Sequence, residues 1–350
     1  MENEKFLVCV NCMTYNQKEY ITDAMNGFVM QRTTFPFLCV ITDDASTDGE
    51  PEVIKNYLDG NFDRQDIGLS TPDETDEYLR IYARHRENKN CYFCVLLLKY
   101  NHYSVGKAKH GSIAELLSPI GYRALCEGDD YWTDPRKLQR QVDFLEGHPE
   151  YSLCCHRFKI HYENTDTWTD DFAGKAFAEN TGVEGLDVTN SENFRTRFTS
   201  TLTLCYRKAS VEGIDWPPYK FGRRDFNFHY HLLKAGKGWC FADYMGVYRK
   251  HDGGIWSSLS SLDGAQTRLE CYEDLYKYNK DDKVVQDRYV EWLDLFFVEF
   301  VRPSFHYHGW TRNGVDNLNI YIKHCLKTKQ YCKAVRKSLK CLGLVIGIKE

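Results

Sequence analysis

No stretch of this 350-residue chain approaches the roughly 18 consecutive apolar residues of a membrane-spanning helix. A secretory leader is not evident either: Met1-Glu2-Asn3-Glu4-Lys5 is acidic and only a short apolar run follows it, so the protein is expected in the cytoplasm. Excess positive charge is missing. The 45 Lys and Arg against 50 Asp and Glu give a net charge of -5, which argues against a dedicated nucleic-acid binder. There is no low-complexity linker and no internal repeat. Finally, no glycine-rich basic loop follows the first apolar run, where Thr14-Tyr15-Asn16-Gln17 stands instead, so the phosphate-binding signature of a sugar-1-phosphate nucleotidyltransferase is absent.

Hydrophobic residues at 42%, with 27% charged, describe a globular chain able to bury a substantial core. Its fourteen cysteines, without a secretory leader, read as reduced thiols. Cys9-x-x-Cys12 and Cys91-x-x-Cys94 have a spacing that zinc sites use, yet both lie in strand-like runs where residues three apart point to opposite faces. Buried thiols packed as small apolar groups are the expectation.

The first half alternates strand-like and helix-like segments: strands over 6–13, 37–42, 91–98 and 122–126, with helices over 18–31, 51–58 and 112–117. This predicts an α/β fold with a mostly parallel mixed sheet flanked by helices. Residues 61–90 read as a polar surface insertion with helix around 76–86. After Glu150 the segments 151–162, 198–206 and 238–248 are β-like, and from about Ser261 the pattern is helical, with a long final helix over 315–342.

Cys126-Glu127-Gly128-Asp129-Asp130 places three carboxylates in four residues where a strand runs out, ahead of a helix expected from Asp134-Pro135. Carboxylates this dense repel one another unless a cation neutralises them, and a hard divalent ion with oxygen ligands is the usual solution. A solvated acidic turn capping the helix is the plainer alternative. Thr14-Tyr15-Asn16 and Asp43-Asp44-Ala45-Ser46-Thr47-Asp48-Gly49 end the first two strands, and neighbouring strand ends of a parallel sheet share a crevice. Thr14, Tyr15, Asn16, Asp43, Asp44 and Ser46 are therefore candidates for one ligand shared with Glu127 and Asp130. Tyr15 could stack on a base, and Asp44 could accept from a uridine. The plainer reading of the second turn is an Asx-type turn and helix cap.

Together, Met13-Thr14-Tyr15-Asn16, Thr42 to Gly49, Glu127-Gly128-Asp129-Asp130 and Tyr248-Arg249-Lys250-His251 resemble the motif set of family 2 glycosyltransferases of GT-A fold, bacterial surface-polysaccharide type. The resemblance covers about residues 5–257. It implies a GT-A domain over 1–258, with a nucleotide-sugar half at 1–130 and an acceptor half at 131–258, and leaves a helical extension at 259–350. It also implies transfer from a nucleotide-sugar donor to a glycan or lipid-linked acceptor, with Mn2+ or Mg2+ as cofactor. Asp129 would be the main metal ligand, Glu127 would stand where the family has its first aspartate, and Asp130 would lie near the donor sugar. His251 would bind metal or diphosphate. Asp225, in Gly222-Arg223-Arg224-Asp225-Phe226, would be the general base of an inverting displacement, with helix capping as the alternative role. A non-catalytic carbohydrate- or nucleotide-binding module would need no such second carboxylate.

In residues 321–350, basic side chains are interleaved with apolar ones. This pattern suits an anionic membrane surface, or a helix packed on the protein with a solvated basic face.

Overall fold

The computed structural model describes residues 5–66, 68–107, 113–219, 225–254, 260–308 and 312–345. Two compact units divide the chain, Met1–Ile214 with His229–His251, and Asp215–Phe228 with Asp252–Glu350.

The first unit runs β1 (Val8–Thr14), α1 (Ile21–Val29), β2 (Phe37–Asp43), α2 (Glu50–Asn61), β3 (Phe62–Arg64), β4 (Tyr78–His85), β5 (Cys91–Leu98), α3 (Ala114–Leu117), β6 (Tyr122–Leu125) and β7 (Tyr131–Trp132). It continues through α4 (Lys137–Gly147), β8 (Tyr151–Tyr162), β9 (Thr167–Asp170), α5 (Gly174–Glu179), β10 (Gly185–Val188), α6 (Asn190–Thr196) and β11 (Cys205–Arg207). Helix α7 (Asp225–Ala235) begins in the second unit's part of the chain and leads into β12 (Lys237–Lys250) of the first.

All the strands join one sheet in the order β10-β12-β8-β11-β6-β1-β2-β5-β4-β3, with β7 on β12 and β9 on β8. The expected α/β architecture is present. Its parallel core is β6-β1-β2-β5, and β8 pairs parallel with β12, while β11, β10, β7, β9, β4 and β3 are antiparallel additions. Every residue of β2 and β5 is buried, as central strands covered on both faces require. Alternate residues feed two cores. Val8, Val10, Cys12, Cys39, Cys91 and Phe93 pack with α1, α2 and α4 on one face, and Cys9, Leu38, Tyr92, Cys94 and Leu96 pack with Ile113 and Leu117 on the other. The two members of each Cys-x-x-Cys thus point to opposite faces, and both are buried free thiols.

Several local expectations are corrected. The helix around 76–86 is strand β4: Tyr78, Arg80, Ile81, Ala83 and His85 are buried while Leu79, Tyr82 and Arg84 are less so, and the segment pairs antiparallel with β5. The strand over 198–206 is mostly a 3-10 turn at Thr201–Thr203, leaving only the three residues of β11. The helix expected from Asp134-Pro135 begins at Lys137, and the one expected over 18–31 spans Ile21–Val29.

The second unit is helical: α8 (Ser261–Tyr278), α9 (Lys283–Phe296) followed by a π turn at Phe297–Val301, α10 (Arg302–His308), α11 (Arg312–Lys327) and α12 (Tyr331–Val345). Ser260 and Asp282 cap α8 and α9, accepting from Asp263 N–H and Val284 N–H at 3.1 and 2.9 Å. Leu269, Leu275, Val285, Tyr289, Leu293, Phe297 and Tyr321 form its buried interior. The single final helix expected over 315–342 is two helices, broken where Lys329 takes a left-handed φ of 58°. Among the described residues no helix is long and apolar enough to cross a membrane.

Candidate active site

The acidic turn extends the β6–β1 ladder beyond the strand: Cys126 N–H donates to Asn11 O at 3.1 Å and Gly128 N–H to Met13 O at 3.0 Å. That pairing presses Gly128 onto the end of β1. A Cβ there would lie 2.4 Å from Thr14 Oγ1 and 2.7 Å from Gln17 Oε1, so glycine is required by close approach. Gly27 of α1 packs in a similar way: a Cβ there would lie 2.9 Å from Trp132 N, which seats the strand after the turn.

Glu127, Asp129 and Asp130 each offer a carboxylate oxygen within 4.8 Å of the others. Asp130 is buried, and burial, reinforced by the charges of Asp129 and Glu127, pushes its carboxyl well above the usual range. Its Oδ1 accepts from Arg249 N–H at 2.9 Å, whereas buried Oδ2 has no hydrogen-bond partner among the described residues. An all-oxygen, strongly anionic donor set with an unpartnered buried oxygen fits a hard divalent cation.

The end of β12 closes over this turn. His251 Nε2 lies 3.1 Å from Asp129 Oδ2, and its ring packs on Tyr20 with centroids 4.6 Å apart. Arg249 is buried and bonds in three directions: Nη1 to Asp129 O at 3.1 Å, Nε to Glu163 Oε1 at 2.6 Å, and Nη2 to Asp23 Oδ2 at 2.6 Å. Its guanidinium also stacks over Tyr131 at 4.7 Å.

The other two turns are joined by Glu50, the first residue of α2. Its buried carboxylate accepts from Gln17 N–H and Ser46 Oγ, each at 2.9 Å, and from Thr14 Oγ1. Burial raises its pKa, and these donors oppose the rise. Asn16 N–H donates to Ser46 Oγ and Asn16 Oδ1 accepts from Thr47 N–H, both at 2.8 Å. Asn16 and Ala45 hold left-handed φ values of 53° and 65° to make these turns. Asp43 Oδ1 accepts from Ser46 N–H at 2.9 Å, the Asx-type turn, and its buried Oδ2 has no partner among the described residues. Asp44 receives His102 N–H at 2.8 Å and Tyr103 N–H at 3.1 Å, which draws the loop after β5 to the end of β2.

Of the expected ligand contacts, Tyr15 is half exposed at 48% and accessible. Thr14, Asn16 and Ser46 engage their hydroxyl or amide groups in holding the turns together, and Thr14 is buried. Asp225 is exposed in the first turn of α7 and belongs to the second unit. Arg223 and Arg224, and Ile255, Trp256 and Ser257 of the loop after His251, lie outside the described residues. Sequence reasoning did not single out Glu50, Asp23, Glu163 or Gln17. Glu50 had one signal, its place directly after Ser-Thr-Asp-Gly at the start of a helix.

No family model matches the chain. The uncharacterized proteins Rv1520 of Mycobacterium tuberculosis (strain H37Rv) and Mb1547 of Mycobacterium bovis are each 32% identical over 256 residues, covering 70% of this chain and 59% of theirs. The chain thus spans about three fifths of the length of these relatives. Among solved structures, residues 1-349 of S. aureus TarS in complex with UDP-GlcNAc align over 95% of this chain and 88% of that one, with TM-score 0.58 and 16% identity. The same TarS fragment with UDP aligns over 97% and 88%, with TM-score 0.56 and 15% identity. At these identities the likeness is one of fold, and it extends across nearly the whole chain.

Proposed function

We propose that this protein is an inverting glycosyltransferase of family 2 type that moves a sugar from a nucleoside-diphosphate sugar, most simply a UDP-sugar, to a hydroxyl of a glycan or lipid-linked acceptor in surface-polysaccharide synthesis. One observation carries the reading: an acidic turn, closed by His251, lies where β1 and β6 end, beside turns bearing an exposed Tyr15 and the carboxylate of Asp44. Strand ends of this kind are where open α/β sheets bind nucleotides. The fold shared with TarS, whose structures hold UDP-GlcNAc and UDP, supports the donor class.

In this reading residues 1–258 are the catalytic part and 259–350 an extension. Asp129, with His251 and Glu127, would hold Mn2+ or Mg2+, which supplies charge neutralisation for a leaving diphosphate. Tyr15 would stack on the base, and Asp44 would accept from it while holding the neighbouring loop. Asp225 would take the proton of the acceptor hydroxyl as that oxygen bonds to the anomeric carbon; the carbon–oxygen bond to the diphosphate breaks and its electron pair leaves with the phosphate.

A donor screen by calorimetry, with manganese or chelator present, tests the proposal. UDP is expected to bind only with the metal, and Asp129→Ala to remove that dependence. Equal affinity for UDP with and without chelator in the intact protein would overturn the metal assignment, and no binding of any nucleoside diphosphate would overturn the function.

A further inference from the structure

The last helix of the second unit carries an apolar face that no described residue covers. Along α12, Tyr331, Val335, Leu339 and Leu342 recur at helical spacing and are 55%, 61%, 62% and 43% exposed. The neighbouring side of the same helix is packed, with Ala334 and Cys341 buried about a quarter-turn from the row. Four large apolar groups in one row on a solvent face are unfavourable for an isolated soluble protein and mark a surface that meets something apolar.

Charge identifies what that something is. Between Asn317 and Val345 the chain has seven Lys and Arg and no Asp or Glu, in a protein whose overall charge is -5. Lys327 pairs with Glu273, and Lys333 with Asp294 at 2.6 Å. Lys337 lies over the Phe297 ring at 4.5 Å. Lys323, Lys329 and Arg336 are exposed, and Arg336 follows directly on Val335 along the edge of the apolar row. An apolar row bordered by cations matches the interface of a bilayer with anionic headgroups, where apolar side chains enter the acyl boundary and basic ones stay among the phosphates. A second protein surface would have to supply both an apolar strip and an acidic border.

We infer that the outer face of α12 docks the protein on anionic lipid membranes. The inference stands apart from the donor-site reading, since none of these residues belongs to that site.

Cys332 supplies the probe: it lies beside the row and is the exposed thiol among cysteines that are otherwise buried. The full chain, labelled there with an environment-sensitive fluorophore, is titrated with vesicles of phosphatidylcholine alone and of phosphatidylcholine mixed with phosphatidylserine. The expected result is a blue shift and co-flotation with the mixed vesicles only, weakening as salt rises. Val335→Ser with Leu339→Ser should reduce vesicle affinity at least about tenfold, and Lys329→Gln with Arg336→Gln by roughly fivefold for each charge removed. These side chains are exposed, so thermal melting should confirm that the variants remain folded. Equal binding to neutral and mixed vesicles, no binding to either, or affinity unchanged by the Val335 and Leu339 pair would overturn the proposal. So would a concentration-dependent dimer abolished by that same pair, which would give the face to a second copy of the chain.

Discussion

The backbone N–H of Arg249 donates to Asp130 Oδ1 at 2.9 Å, joining residues 119 apart in sequence. This bond pins the acidic turn after β6 to the end of β12, and the Arg249 side chain extends the tie to Asp129 O, Asp23 and Glu163. One cation therefore ties the turn to β12, α1 and the loop after β8, through the Asp129 carbonyl and the Asp130 carboxylate. Arg249 itself reaches Asp129 through that residue's carbonyl, not its carboxylate.

Removing that cation should be costly. Arg249→Met is expected to lose about 2 kcal/mol of stability, less than a fully buried pair would lose because Asp23 and Glu163 are partly exposed and can rehydrate. Urea unfolding measures it. A change within about 0.5 kcal/mol would show that the turn does not depend on this residue.

Gly128→Ala should separate binding from folding less cleanly but more sharply in geometry. The new Cβ meets Thr14 Oγ1 at 2.4 Å and Thr14 Cβ at 2.7 Å, and Thr14 cannot swing away without breaking its bond to Glu50. The turn must shift, so about 1–3 kcal/mol of stability should be lost and UDP affinity should fall well beyond what that loss explains. Calorimetry on the folded variant decides the matter, and wild-type affinity would mean that the turn is not part of the ligand site.

Asp225→Asn tests the general base. Asn keeps the ability to cap α7 and removes only basicity, so turnover should fall by roughly 10²- to 10⁴-fold with donor affinity nearly intact. Full transfer activity, or a product that keeps the donor's anomeric configuration, would return Asp225 to a capping role.

The parallel core and the acidic turn were legible because their signals are local. A buried strand shows as an apolar run, and three carboxylates at its end are seen without knowing the fold. The period of two likewise separated Cys9 from Cys12 and Cys91 from Cys94 correctly. Strand β4 was not legible: Tyr78, Leu79, Ile81 and Tyr82 suit a helix face as well as a strand, and it is pairing with β5 that decides. The supports of the site were the least visible. Arg249 meets Glu163 across 86 residues and Asp23 across 226, and Glu50 joins two turns that sequence presents as separate. Charges on surface-like segments carry no mark of the partner that tertiary folding brings to them.

Lys137 gives a prediction with a definite pH signature. Its side chain is fully buried beside Trp132, whose ring lies 3.8 Å from Nζ, and its hydrogen bond goes to Gln141 Oε1 at 2.7 Å. Burial pulls its pKa down from 10.5 to about 8. A lysine depressed in the folded state binds fewer protons there than in the unfolded chain between those two values, so its contribution to stability rises with pH across that window. Below about pH 8 both states are protonated, and folding bears the full cost of burying the ammonium, about 3 kcal/mol at 1.36 kcal/mol per pH unit. Met has a similar length and no charge to bury. Lys137→Met should therefore be more stable than the native chain at pH 7, by about 1–3 kcal/mol once the lost contacts with Gln141 and Trp132 are offset. That advantage should shrink as pH rises from about 8 to about 10.5. Denaturant unfolding of both proteins over pH 7 to 10 reads the difference directly. Two stability curves that stay parallel across this range would show that Lys137 is not an ammonium held in an apolar pocket.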